Sequence, residues 1–366
     1  MLRHKDHFHG SDLEKIEQYY GIPKEKIISF SANVNPLGIS QRLKEELSGH
    51  VDVITQYPDR EYTRLRTCIA SYCNTRKEHI LVGNGATELI SLLIQTKRPR
   101  KVLILGPTYS EYERYVSLEG GNCLYYPLKE TEQFELNVED LCRKLYEGLD
   151  MLILCNPNNP TSSAISRPDM RKILDTCLLH GIFVMIDETY VEFTHEEEKV
   201  SSVPLTHDYN NLFILRGTSK FFASPGLRLG YAVTGNQELL LEIHAKKDPW
   251  TTNSLAEVAG KIMFQDKDYI RQTRELIFGE RERMWKELSS WQTVKLYPPK
   301  ANFILMKILK PEITAQLLFE HCIKQGLMIR NCSTFPFLDE SYVRFCIMLP
   351  EQNDLLLAAF AQLLKD

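Results

Sequence analysis

No apolar run in this 366-residue chain approaches the ~18 residues of a membrane span, and the opening MLRHKDHFHG has no apolar leader core. A membrane partner is not expected, and the cytoplasm is the expected compartment. Positive charge is not in excess either. The 44 Lys and Arg face 48 Asp and Glu, for a formal net charge of −4, and no basic helical segment precedes residue 50, so no nucleic-acid partner is expected. The nine cysteines are odd in number and never spaced as Cys-x-x-Cys, so they read as reduced thiols rather than a disulfide framework or a zinc site; no metal is expected. Internal repeats and low-complexity linkers are also absent.

What is present is an ordinary globular composition, 43% hydrophobic and 25% charged. SDLEKIEQYYG, from Ser11 to Gly21, reads as a capped helix with Glu14 completing a capping box. Apolar runs at 101–106 (KVLILG), 150–157 (DMLILCNP), 182–188 (IFVMIDE) and 211–216 (NLFILR) alternate with amphipathic stretches such as 166–180. Strands apolar throughout, with helices between them, predict an α/β fold whose mostly parallel sheet is covered on both faces. After Trp250 come a charged helical segment at 267–289, strand-like FILMKI and YVRFCIM, and a closing helix at 351–364, the pattern of a smaller α+β domain. The expected division is an arm and part of the small domain at 1–49, a large domain at 50–250, and a connecting helix with the small domain at 251–366.

The stretch RGTSKFFASPGLRLGY (216–231) sets Lys220 among small and aromatic residues, with Arg228 eight positions on. In such a sheet chemistry gathers beyond the carboxyl ends of the strands. GNGATE (83–88), NPNNPT (156–161), DETY (187–190) and GTSK (217–220) all fall there. Singly, each reads as a turn, a cap or a surface residue. Together they supply an amine for an aldehyde, an anion for a ring nitrogen, and backbone donors plus a cation for a phosphate.

In that order and spacing the motifs resemble the fold-type I pyridoxal-phosphate enzymes of the aspartate aminotransferase superfamily, over nearly the whole chain. The resemblance implies that Lys220 holds the cofactor covalently and then moves the substrate's α-proton. It implies that Asp187 faces the ring nitrogen, that Tyr190 and Asn159 bond the ring oxygen, and that Tyr109 stacks on the ring. Arg228 with the amides of Gly85, Ala86 and Thr87 would take the phosphate. Tyr57 would reach it from the second subunit of a homodimer with shared sites. Two departures stand out. Gly217 occupies a position where the family usually has Ser or Thr, so that Thr218 or Ser219 would have to substitute, and Ser162 replaces the glycine that usually ends NPNNPTG.

Within the superfamily the segments HG…GIPKEKIISFSANVNPLG, ITQYPD, KKDPWTTNSLA and LMIRNCSTFPFLDESYVRF look most like the threonine-phosphate decarboxylases, and next like the histidinol-phosphate aminotransferases. The expected reaction is decarboxylation of L-threonine O-3-phosphate to (R)-1-amino-2-propanol O-2-phosphate for cobalamin side-chain synthesis. A transamination using 2-oxoglutarate or glutamate is the alternative, and a non-catalytic cofactor-binding paralogue a lower one. In this likeness Arg344 would pair with the substrate carboxylate and Arg330 with its phosphate, with Asn35 as a third contact. His7 and His9 are either a cover for the site or part of a mobile tail. Trp250 favours the decarboxylase weakly.

Overall fold

The computed structural model describes residues 12–146 and 148–365. Ser11, His7 and His9 lie outside them; the first helix, Leu13–Tyr20, ends at Gly21, whose φ of 68° is the left-handed turn that glycine adopts without cost.

Among the described residues, thirteen strands form three sheets. The N-terminal strand β1 (Ile28–Ser29) precedes the strands of the large sheet, β2 (Ile80–Gly83), β3 (Lys101–Gly106), β4 (Asn122–Pro127), β5 (Met151–Cys155), β6 (Phe183–Asp187), β7 (Leu212–Gly217) and β8 (Gly230–Val233). The C-terminal strands are β9 (Val294–Leu296), β10 (Phe303–Ile308), β11 (Leu327–Met328), β12 (Arg330–Asn331) and β13 (Tyr342–Cys346). The large sheet has the order β2-β8-β7-β6-β5-β3-β4, and only β8 runs against the rest. The smaller antiparallel sheet has the order β12-β13-β10-β9, while β1 pairs in parallel with β11. The expected α/β architecture with a mostly parallel sheet is what the chain adopts.

The apolar runs explain the layering. Successive side chains on a strand point to opposite faces. Met151, Ile153, Phe183, Met185, Phe213 and Leu215 enter one core, packed on Leu89 and Leu93 of the helix Ala86–Lys97 and Ile243 of Gln237–Lys246. Leu152, Leu154, Val184, Ile186, Leu212 and Ile214 enter the other, with Ile173 and Leu174 of Arg167–Leu179 and Ile277 and Met284 of Lys267–Ser289. Both faces are dry, so neither can tolerate alternation with polar residues; truncating a buried Ile or Leu here would cost about 2–5 kcal/mol.

The β1–β11 pair positions the site. It ties the N-terminal segment to β11, and two further bonds tie it to the small sheet: the Cys346 amide donates to the Phe30 carbonyl (2.8 Å) and Asn302 Nδ2 to that of Asn33 (3.0 Å). Residues 31–33 are thereby held between the two sheets.

Candidate active site

The carboxyl ends of the parallel strands open into one cavity. Gly85, Ala86 and Thr87 after β2, Thr108 and Tyr109 after β3, Asn159 after β5, Asp187 and Tyr190 at the end of β6, and Ser219 and Lys220 after β7 all line it. Arg228 joins from just before β8, and Arg330 and Arg344 from the small sheet.

At one end, Gly85 caps the helix Ala86–Lys97 with φ 79°, leaving the first-turn amides without intrahelical acceptors. A Cβ on Gly85 would stand 2.4 Å from Arg228 Nη2, so only glycine leaves the gap beside the guanidinium open. A helix N-terminus and an arginine around an open notch suit a phosphate. In the centre, the Lys220 Nζ donates to the Ala32 carbonyl (2.6 Å). Burial, reinforced by the charges of Arg344 and Arg228, pulls its pKa down to about 8, so near neutrality far more of the amine is uncharged than in an exposed lysine. At the far side, three donors fix the Asp187 carboxylate. Thr189 gives its N–H (2.9 Å) and hydroxyl (2.5 Å) to Oδ1, and the Tyr112 hydroxyl bonds Oδ2 (2.7 Å). Tyr190 accepts from Asn33 Nδ2 (3.3 Å), and burial raises its hydroxyl pKa, keeping it a donor. Asn159 Oδ1 accepts from Arg344, whose Nη2 donates to the Ser31 carbonyl (2.6 Å) and whose buried Nε has no partner among the described residues.

The NPNNPTS loop divides its work. Asn156 bridges to Ile165 through both its amide atoms, and Asn158 bonds Pro107, Thr108 and Thr161. Only Asn159 faces the cavity. Ser162, where glycine was expected, does adopt the left-handed φ (63°), and its hydroxyl accepts the amides of Lys300 (3.1 Å) and Ala301 (2.9 Å), compensating the strain by joining the loop to the segment before β10.

Three expected contacts are not part of this cavity. Asn35 is consumed structurally: its Nδ2 donates to Phe221 O, Tyr269 and Thr273, and its Oδ1 accepts from Leu37 N, so it has nothing left for a substrate. Thr218 is fully buried and turns its hydroxyl back to the Leu229 carbonyl (3.2 Å), leaving Ser219 as the hydroxyl at that wall. Tyr57 is 80% exposed and lies in a separate cleft against Trp250. Conversely, Ser31, Asn33, Tyr112, Thr334 and Phe335 line the cavity without having been singled out. Tyr112 is the second residue of the helix Glu111–Leu118, which starts two residues after Tyr109 and brings the two rings edge-on at 5.5 Å. For Asn33 the sequence held no distinguishing signal: its φ of 55° suits asparagine, but Asn35 two residues on reads the same.

A buried lysine with a lowered pKa, an aspartate held by three donors at the strand end and a notch suited to a phosphate together fit pyridoxal phosphate. The comparisons agree. The family Aminotransferase class I and II matches residues 25–360. The chain is 32% identical to the threonine-phosphate decarboxylase of Salmonella typhimurium, over 97% of this chain and 96% of that one. It is 38% identical to a protein of Caldanaerobacter subterraneus provisionally given the same name, over 92% and 90% of the two chains. Among solved structures, the histidinol-phosphate aminotransferase of Clostridium acetobutylicum superposes with a TM-score of 0.85 at 33% identity, covering 91% of this chain and 98% of that one. The fold and site define a pyridoxal-phosphate-dependent enzyme of fold type I. The chain belongs to the class I and II aminotransferase family.

Proposed function

We propose that the chain decarboxylates L-threonine O-3-phosphate to carbon dioxide and (R)-1-amino-2-propanol O-2-phosphate. The observation that carries this reading is the register of β12 on β13, which sets Arg330 directly opposite Arg344, both on the cavity wall. Like charges opposed across a ladder repel. Burial first, and then the charge of Arg344, push the Arg330 pKa down. An occupant with two anionic groups relieves both costs, and a phosphorylated amino acid has a carboxylate for the Arg344 fork and a phosphate for Arg330. The names of the Salmonella and Caldanaerobacter relatives support the same substrate.

Pyridoxal phosphate supplies an aldehyde for a covalent link to an amine and a ring that draws electrons from the bonds at Cα. Lys220 would hold it, Asp187 would keep the ring nitrogen protonated, Tyr190 and Asn159 would bond the ring oxygen, and Tyr109 would pack on its face. The phosphate would lie against Gly85, Ala86, Thr87, Ser219 and Arg228. Once the Cα–carboxylate bond breaks, the Lys220 amine would return the proton that takes the carboxylate's place. The Clostridium structure favours a second reading, transamination, in which Cα loses a proton instead. A homodimer in the cytoplasm, with Tyr57 completing the partner's site, belongs to the same proposal.

The purified enzyme given L-threonine O-3-phosphate without any keto acid should release carbon dioxide and the aminopropanol phosphate in equal amounts. Absence of carbon dioxide, with amino-group transfer from histidinol phosphate to 2-oxoglutarate, would establish the aminotransferase. Arg330→Ala should raise KM for the phosphorylated substrate ~30-fold, about 2 kcal/mol, by removing a charge-assisted partner. An equal loss with unphosphorylated L-threonine would mean that Arg330 supports the fold instead.

A further inference from the structure

Between β12 and β13 the chain leaves the small sheet, reaches the edge of the large sheet and returns. Thr334, Phe335 and Pro336 of this strap line the cavity. Phe337 lies beyond it, with its ring edge-on to Tyr125 of β4 (5.8 Å, 72°) and over Gly106, the last residue of β3. A Cβ on Gly106 would come within 2.8 Å of Phe337 Cε2 and 2.8 Å of Tyr125 Cδ1, so the seat for the ring exists only because residue 106 is glycine. Phe337 also holds a left-handed φ of 68°. A residue with a Cβ keeps that conformation only where its surroundings impose it.

The strap is braced by its own hydrogen bonds. Phe335 donates to the Cys332 carbonyl (2.9 Å), Leu338 to that of Phe335 (3.2 Å), and the Ser333 amide to Asn331 Oδ1 (2.9 Å). What fixes the ring at one end therefore fixes Thr334 at the other. Thr334 Oγ1 accepts from Arg330 Nη2 (3.0 Å), and the Arg330 guanidinium lies 5.3 Å from the Phe335 ring centre. A hydroxyl that accepts from a guanidinium still has its own proton to donate, and an anion beside Arg330 is a suitable acceptor.

We propose that Phe337 is a positioning residue whose ring, seated over Gly106, holds residues 332–338 across the cavity and so aims Thr334, as a specificity-determining donor, and Arg330 at the phosphate of the substrate. This rests on the reading that Arg330 takes that phosphate. The strap joins the two sheets at the level of Tyr109, three residues after Gly106, so substrate recognition and cofactor packing share one support.

Hydrogen exchange of the peptide spanning 332–340, measured on the cofactor-loaded enzyme without substrate, tests the seat. Phe337→Ala and Gly106→Ala should exchange roughly tenfold faster than wild type, and Phe337→Leu, which refills the notch, should restore most of the protection. Steady-state kinetics test the consequence. Phe337→Ala and Thr334→Val should raise KM for L-threonine O-3-phosphate roughly tenfold with little change in kcat, and leave KM for L-threonine unaltered. Unchanged exchange in both alanine variants would overturn the seat, and faster exchange with an unchanged KM would overturn the positioning role. If wild type does not turn over the phosphorylated substrate, the substrate reading fails by itself. Exchange, together with the Kd of inorganic phosphate for wild type and Phe337→Ala, then still decides the strap.

Discussion

Lys220 and Gly217 show how much one side chain decides. The Lys220 pKa is lowered by burial and by two arginines distant in the chain or turned toward it by the fold, not by the residues immediately beside it. Gly217, where the family resemblance led us to expect a hydroxyl, has room for one: a Cβ there would meet only the Leu229 carbonyl at 3.7 Å and Ser219 Oγ at 4.0 Å, ordinary contact distances. Its backbone is not left-handed, so a side chain brings no strain. Gly217→Ser should therefore add a donor near the phosphate end and tighten the cofactor by roughly fivefold to tenfold, about 1 kcal/mol for one hydrogen bond. Titration of the apoprotein with pyridoxal phosphate, followed by absorbance, reads the change. Unaltered or weaker affinity would show that this end of the cavity is already saturated with donors.

Among the elements, β6 and β7 carry a buried charge cluster beneath the site. Arg216 of β7 donates to Glu188 Oε2 from Nε (3.0 Å) and Nη2 (2.8 Å), and to Glu197 Oε1 (3.1 Å), while Glu197 also binds Arg274. Glu192, in the short turn Val191–Phe193 after β6, lies 3.8 Å from the same guanidinium, and its Oε2 has no partner among the described residues. Burial, opposed by Arg216 but reinforced by Glu197, raises its pKa to about 8. A folded-state pKa above the unfolded value contributes stability that is complete below pH ~4.5 and is lost as pH rises through ~8. Glu192→Gln, which stays neutral, should match wild type near pH ~4.5 and become the more stable protein toward pH ~8, by a margin that thermal unfolding across that range would measure. Parallel curves for the two proteins would mean that Glu192 is ionised in the fold.

On the surface of the whole molecule, apolar side chains from two separate segments are exposed side by side. Val51 (52%), Ile54 (64%), Tyr57 (80%) and Trp250 (41%) are exposed together, and the Tyr57 and Trp250 rings lie 4.9 Å apart. Light scattering should find a dimer that buries this region. If Tyr57 serves the partner's site, then Tyr57→Phe and Lys220→Ala dimers, each weak or inactive alone, should regain activity when their subunits are exchanged. Each hybrid then holds one site with an intact Lys220 from one chain and an intact Tyr57 from the other. No recovery in a mixture shown to contain hybrids would place Tyr57 outside the site.

The sequence by itself determined the layers and the cofactor end of the site. Uninterrupted apolar runs read as strands covered on both faces, and the motifs lie immediately after those strands, so β3, β5, β6 and β7 and the places of Lys220, Asp187 and Asn159 were legible from local pattern, while that of Arg228 came from the resemblance. The edge strand β4 (NCLYYP) and the reversed β8 were not, because edge position and direction depend on what pairs with a strand and leave no periodicity of their own. The wall that the small sheet and the N-terminal segment give the cavity was decided only in three dimensions. The choice of Asn33 over Asn35 depends on a bond to Tyr190, 157 residues away, and the grip on Arg344 comes from Asn159, 185 residues distant. Periodicity states which face of an element is buried. Which buried faces meet, and hence that Arg330 opposes Arg344 and that Phe337 finds a glycine to rest on, is set by packing between segments that share no local pattern.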